Sequence, residues 1–135
     1  MRNRQVPTII AALAASGVGG LIATPAAHAE ETPLGVLELV IEHQADTDKT
    51  AAVRLECDPT GGSHPGAEAA CSALKEVDGE FAELPTRDDV CTMDYRPVMV
   101  RATGQWRGEP VYYEDIFANT CAAGAETNGV FALSR

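Results

Sequence analysis

Three observations predict an α+β fold: an antiparallel sheet with one main helix packed on one face. Apolar residues alternate with polar ones in "LGVLELVIEH" (34–43) and again in "AVRLEC" (52–57). The period then lengthens to three and four residues in "PTGGSHPGAEAACSALKEVDG" (59–79). It shortens again in "VMVRAT" (98–103) and "PVYYEDIFA" (110–118). A period of two marks strands and a period near 3.6 marks an amphipathic helix.

In chain order, the first 29 residues read as a leader. Arg2 and Arg4 give a positive start, "TIIAALAASGVGGLIA" supplies an apolar run, and Ala27–His28–Ala29 offers small residues two apart before "EET". That is the pattern of a secretory signal peptide with an A-x-A cleavage site, leaving a domain of residues 30–135. A membrane anchor is the rival reading. The run is short, interrupted by glycines and followed by no second apolar stretch, so cleavage and an extracellular location are preferred.

The remaining 106 residues suffice for one domain with a modest core. They carry eight basic against twenty acidic residues, a formal charge of −12, because Arg2 and Arg4 lie in the leader. Such a surface argues against nucleic acid and anionic membranes as partners.

Leu37, Leu39 and Ile41 alternate with Glu38 and Glu42, and Val53, Leu55 and Cys57 with Arg54 and Glu56. The polar "QADTDKT" (44–50) between them reads as the turn of an antiparallel pair. Gly61 and Gly62 then mark a loop, and Pro65 suits a first helical turn with Ser63 or His64 as cap candidates. Ala67, Ala70, Cys71, Leu74 and Val77 form one buried stripe, which Asp78–Gly79 ends. "EFAELP" (80–85) adds a short helical turn. "GQWRGEP" (104–110) is the connection of a second hairpin, with Trp106 as a core or interface anchor, and "NGVFAL" (128–133) reads as a last strand.

All four cysteines, Cys57, Cys71, Cys91 and Cys121, lie beyond the leader. An even number in an exported chain implies two disulfides, with three pairings open. Loop-closure entropy favours near neighbours, Cys57–Cys71 and Cys91–Cys121, contributing roughly 3 and 4 kcal/mol in the chain-entropy model. A zinc site with His64 is the competitor; no C-x-x-C pair supports it, and no metal or other cofactor is expected.

Enzyme chemistry finds little footing. "GGSHP" grazes a nucleophile elbow, but Pro65 occupies the last glycine position and Ser63 and His64 are chain neighbours. The carboxylates are scattered. Binding fares better in "VCTMDYRPV" (90–98). A bridge at Cys91 stiffens one side of this segment and Pro97 the other, keeping Arg96 extended. In an extended loop Thr92 and Asp94 face one way and Met93 the other. The hydroxyl and carboxylate, with Arg96 or Arg107, then brace the backbone while Met93 is offered to an apolar pocket. The plain alternative is a loop entering a strand with Met93 in the core, and the loop alone does not decide between them.

Three blocks carry a resemblance that spans Leu34 to the C-terminus. They are "CDPTGGSHPGAEAACSAL" (57–74), "CTMDYRPV" (91–98), and "GQWRGEPVYYEDIFANTC" (104–121) with "GVFAL" (129–133). Together they are similar to the signature, reactive loop and tryptophan hairpin of the Streptomyces subtilisin inhibitor family. The resemblance implies a five-stranded antiparallel sheet with two helices and the disulfides Cys57–Cys71 and Cys91–Cys121. It implies a homodimer that inhibits subtilisin-like serine proteases as a tight-binding substrate mimic, without being an enzyme. The reactive bond carries over to Met93–Asp94, within a binding loop of Cys91, Thr92, Met93, Asp94, Tyr95 and Arg96.

Thr92 replaces a proline common in that family and Asp94 an apolar residue. "CTMDYRP" also resembles the binding loop of Kazal-type inhibitors, Cys-Thr-Leu-Glu-Tyr-Arg-Pro, although the Kazal cysteine framework is missing. Methionine at the specificity position suits subtilisin-like and chymotrypsin-like targets, whereas a trypsin-like one wants Lys or Arg. His64 and Pro65 are read as structural, and Tyr95 as packing under the loop or touching the protease. A non-inhibitory secreted module that keeps the fold is the alternative function.

Overall fold

A computed structural model describes residues 16–22 and 31–134. The expected cleavage site, Ala27 to Ala29, and the first domain residue, Glu30, lie outside the described residues. The described residues form a five-stranded sheet, two α-helices and one 3-10 turn. The strands are β1 (Gly35–His43), β2 (Asp46–Cys57), β3 (Gly61–Gly62), β4 (Val98–Trp106) and β5 (Glu109–Phe117). They pair antiparallel in the order β3-β2-β1-β4-β5. Helices α1 (Ala67–Glu76) and α2 (Thr120–Glu126) complete the expected α+β architecture.

Register explains which face is buried. Leu37 lies opposite Leu55, Leu39 opposite Val53 and Ala102, and Ile41 opposite Val100, so the apolar halves of the alternation share one side. A slip of one residue would turn every one of them to solvent. α1 seals this side with Ala70, Cys71, Ala73 and Leu74, and the Cys57–Cys71 bridge ties helix to sheet. Phe81, in the 3-10 turn Phe81–Glu83, stacks on Tyr113 with ring centroids 5.3 Å apart. Phe131 closes the cluster 6.1 Å from Phe81.

Four local expectations need correction. The turn expected over residues 44–50 is confined to Gln44 and Ala45, and the polar run from Asp46 onward continues β2. Its side chains are mostly exposed, while Asp46 pairs with His43 and Thr50 with Glu42 of β1 across a register irregularity, and backbone pairing needs no apolar side chain. Neither Ser63 nor His64 caps α1, whose N-cap is Gly66. The Ser63 hydroxyl instead accepts from the Arg54 amide at 3.0 Å. The segment 128–133 is not a strand. Its backbone closes local turns, Val130 N to Thr127 O at 3.0 Å and Ala132 N to Gly129 O at 3.1 Å, and this sets Val130 and Phe131 into the core. Lastly, the second hairpin turns in two residues, Arg107 and Gly108, so "GQW" belongs to β4. Both have positive φ, 50° and 76°, as a tight hairpin turn of this hand requires.

Candidate functional site

Between the 3-10 turn and β4 the chain runs from Pro85 to Pro97 without regular structure, and this run carries the reading of Met93. Met93 is 99% exposed, so the core-filler alternative is wrong. Val90 is also fully exposed, and Tyr95, at 78%, does not pack under the loop. Cys91, Thr92, Met93, Asp94, Tyr95 and Arg96 therefore form one convex segment at the end of the sheet where β4 begins.

Exposure of this kind leaves a chain without packing, so something else must hold it. Cys91 is bridged to Cys121 in α2, with Cα atoms 5.6 Å apart. On the near side the Arg87 amide donates to Ala125 O at 2.9 Å, and the Arg87 guanidinium meets Asp89 at 2.6 Å. On the far side the Arg96 amide donates to Ala118 O at 2.8 Å, and Gln44 N donates to Pro97 O at 3.0 Å. The loop is thus pinned to the start of α2 and to the β1–β2 turn.

The main brace is Asn119, a residue that reading the sequence did not single out. Its side-chain amide donates to Thr92 O at 3.2 Å and to Asp94 O at 2.9 Å, one carbonyl on each side of Met93. Its Oδ1 accepts from the Ala122 amide at 2.8 Å and so caps α2. Only this orientation of the amide satisfies all three partners. The side chain is buried beneath the loop, where such bonds are least open to competition from water. Its sequence signal is Asn before a short alanine-rich run that ends in Asn128–Gly129, an N-cap pattern.

The Thr92 hydroxyl donates to the Asp94 carboxylate, and Arg96 approaches the same carboxylate at 3.5 Å. The Thr92 hydrogen bond is the largest cause holding the Asp94 carboxyl below its ordinary value, and the Arg96 charge adds to it. A depressed carboxyl keeps this contact above the ordinary value and loses it only as pH falls through the lowered one. Hydroxyl, carboxylate and Arg96 thus meet one another, but the hydrogen bonds to the backbone on either side of Met93 come from Asn119. Arg107 is not part of this group, because it bonds Asp78 at 2.6 Å beside Trp106, at the opposite end of β4.

The residues weighed for other chemistry are structural. His64 is buried, with Nε2 donating to Val130 O at 2.8 Å and Nδ1 accepting from the Gly66 amide at 2.9 Å. Burial pushes its pKa below the ordinary value, against a smaller opposing effect of the bond to Val130. Trp106 is 4% exposed and packs in the core, with Nε1 donating to Asp78 at 3.0 Å. All four cysteines are in disulfides, paired as loop-closure entropy favours.

Comparison with known proteins agrees with this geometry. A family model described as subtilisin inhibitor-like matches residues 34–119, which include the whole loop and Asn119. The protease inhibitor SIL-V1/SIL-V4 of Streptomyces netropsis is 46% identical over 93 residues, covering 67% of this chain and 84% of that protein. A subtilase-type protease inhibitor of Streptomyces fradiae is 38% identical over 145 residues, covering 97% of this chain and 99% of its own. Among solved structures, Streptomyces caespitosus sermetstatin in complex with Bacillus licheniformis subtilisin matches with a TM-score of 0.56 and 32% identity. That match covers 73% of this chain and 97% of the other. The relatives that match are described as protease inhibitors, and the chain belongs to the subtilisin inhibitor-like family.

Proposed function

We propose that the chain is a secreted inhibitor of subtilisin-like serine proteases that presents Met93–Asp94 as a substrate-like reactive bond. The observation that carries this reading is the fully exposed Met93 on a loop whose backbone is held on both sides by Asn119 and the Cys91–Cys121 bridge. Met93 enters the apolar specificity pocket of the protease, while Thr92, Tyr95 and Arg96 line the cleft on either side. Because the loop is already ordered, binding does not have to remove its conformational entropy.

Attack on the Met93 carbonyl expels the amine of Asp94. That amine stays in place, since Asp94 O is held by Asn119 and Arg96 N by Ala118 O. An amine kept at a high local concentration returns to the acyl group, so cleavage reverses and the protease remains occupied. The Thr92–Asp94–Arg96 contacts resist the spreading of the two new ends.

Residues 1–29 are read as the export signal. Chymotrypsin-like proteases are second targets, since their pockets also accept a large unbranched side chain. A homodimer is supported by the outer face of the sheet, which carries the half-buried Val36, Val40 and Met99 and the exposed Tyr112 and Ile116.

Titration of subtilisin with the purified chain tests the reading. Near-stoichiometric inhibition is expected, and Met93→Lys moves the inhibition toward trypsin. A folded chain that leaves subtilisin fully active would mean a non-inhibitory module.

A further inference from the structure

We infer that Met93 is an oxidation site, and that a hydroperoxide acting on its thioether converts the loop from a binding to a non-binding form. This rests on the inhibitor reading, because it requires the Met93 side chain to enter an apolar pocket. The two readings fail in different experiments.

The distribution of oxidisable groups makes the site selective. Both pairs of cysteines are already disulfides, so no thiol competes for oxidant. Trp106 is 4% exposed. Met99 is half-buried on the outer face of the sheet, between Glu42 on β1 and Ile116 on β5. Met93 is 99% exposed, which makes it the most accessible thioether among the described residues. Susceptibility of methionine follows access of the oxidant to sulfur.

The same exposure determines what oxidation changes. Every contact that orders the loop is made by other groups: the carbonyls of Thr92 and Asp94, the amide of Arg96, the Cys91–Cys121 bridge and the Thr92–Asp94 pair. The Met93 sulfur supports none of them, so its chemistry does not reach the fold. In the reaction a sulfur lone pair attacks one peroxide oxygen. The O–O bond breaks, an S–O bond forms, and the second oxygen leaves as water or an alcohol after taking up a proton. Sulfur loses two electrons and the peroxide gains them. The product carries a polar, unpartnered oxygen at the tip of the side chain meant for an apolar pocket. Leaving such a group unpaired there weakens binding about tenfold to a hundredfold. Reduction of the sulfoxide restores the original side chain.

The test treats the folded chain with hydrogen peroxide and maps the added oxygen by peptide mass spectrometry, before titrating subtilisin. Modification of Met93 ahead of Met99 is expected, with an unchanged thermal midpoint and an inhibition constant raised at least about tenfold. Methionine sulfoxide reductase should return it to the starting value. The Met93→Leu chain, judged against its own untreated value, should not respond to peroxide, and the Met99→Leu chain should respond as the parent does. Full inhibition by a chain shown to be oxidised at Met93 overturns the inference, as does loss of inhibition that tracks Met99. An untreated chain that fails to inhibit subtilisin removes the inhibitor reading itself and is measured first.

Discussion

Asn119 joins two duties in one side chain, and its two duties can be separated by substitution. Its oxygen caps α2, and its nitrogen holds the carbonyls that flank Met93. Asn119→Asp keeps the capping acceptor but loses both donors and sets a carboxylate against two carbonyl oxygens. Asn119→Ala loses everything, including a cap worth about 1 kcal/mol. Both variants are expected to inhibit subtilisin only transiently and to be cut at Met93–Asp94, with protease activity returning over time. The thermal midpoint should fall in both, through the lost cap in Asn119→Ala and through repulsion between the carboxylate and the two carbonyls in Asn119→Asp. Only the latter fall should shrink as pH is lowered and the carboxylate is protonated. Lasting inhibition by both would show that the bridge alone supplies the rigidity. The loop residues themselves were legible: cysteine before, proline after, and Thr92 and Asp94 alternating with Met93 describe a stiffened extended segment. Asn119 was not, because its partners lie 25 and 27 residues away and such contacts leave no local period. Arg107 was misplaced for the same reason, since the choice between Asp78 and the loop is decided only by where β4 begins and ends.

The elements follow the periodicity of their side chains wherever those side chains are buried, and depart from it where they are not. β1, β4, β5 and α1 were readable because one face of each meets the core. The polar start of β2 was read as a turn because its side chains face water, although Asp46 and Thr50 pair with β1 around a register irregularity. Segment 128–133 misled in the opposite sense. Val130 and Phe131 are buried, but Thr127 supplies the missing backbone partners, donating to Ala123 O at 2.6 Å and accepting from Phe131 N at 3.0 Å. The two bridges join different elements and so divide their effects. Replacing Cys57 and Cys71 by serine loosens α1 from the sheet and should destabilise the domain by roughly 3 kcal/mol in a denaturant titration. Replacing Cys91 and Cys121 should leave the sheet intact by circular dichroism yet turn the inhibitor into a slowly cleaved substrate. His64 adds a pH dependence to the packing of α1 against Val130. Its neutral ring donates from Nε2 and accepts at Nδ1, and burial lowers its pKa from 6.5. The unfolded chain therefore binds a proton first, so this stability is complete above 6.5 and falls as pH drops toward the lower folded value. Urea midpoints taken between about pH 7.5 and 5.5 should decline, and the decline should be much shallower in His64→Gln.

At the scale of the whole molecule the sheet separates its faces: the inner face builds the core, the β4 entry carries the loop, and the outer face carries the remaining side chains of the alternation. On that outer face Arg101 lies opposite Val40 on one side and opposite Glu114 on the other, bonding the latter at 3.1 Å. Val36, Met99 and Ile116 add apolar surface around this pair. Four strands of about nine residues project roughly 570 Å², and their accessible surface is larger because the side chains stand up from the sheet. That approaches the roughly 800 Å² per partner of a specific interface. The net acidic charge of the chain opposes self-association, and added salt screens such repulsion. If two sheets stack through this face, sedimentation should give a dimer whose dissociation constant falls as salt rises. Val40→Asp sets a carboxylate at the middle of the face and should give a monomer. Because Val40 lies at the centre of the sheet and the loop at its end, the monomer should still block one subtilisin per chain. A parent chain that sediments as a monomer at every concentration and salt level would leave the outer face without a partner of its own kind. A Val40→Asp dimer would instead place the contact elsewhere on the surface.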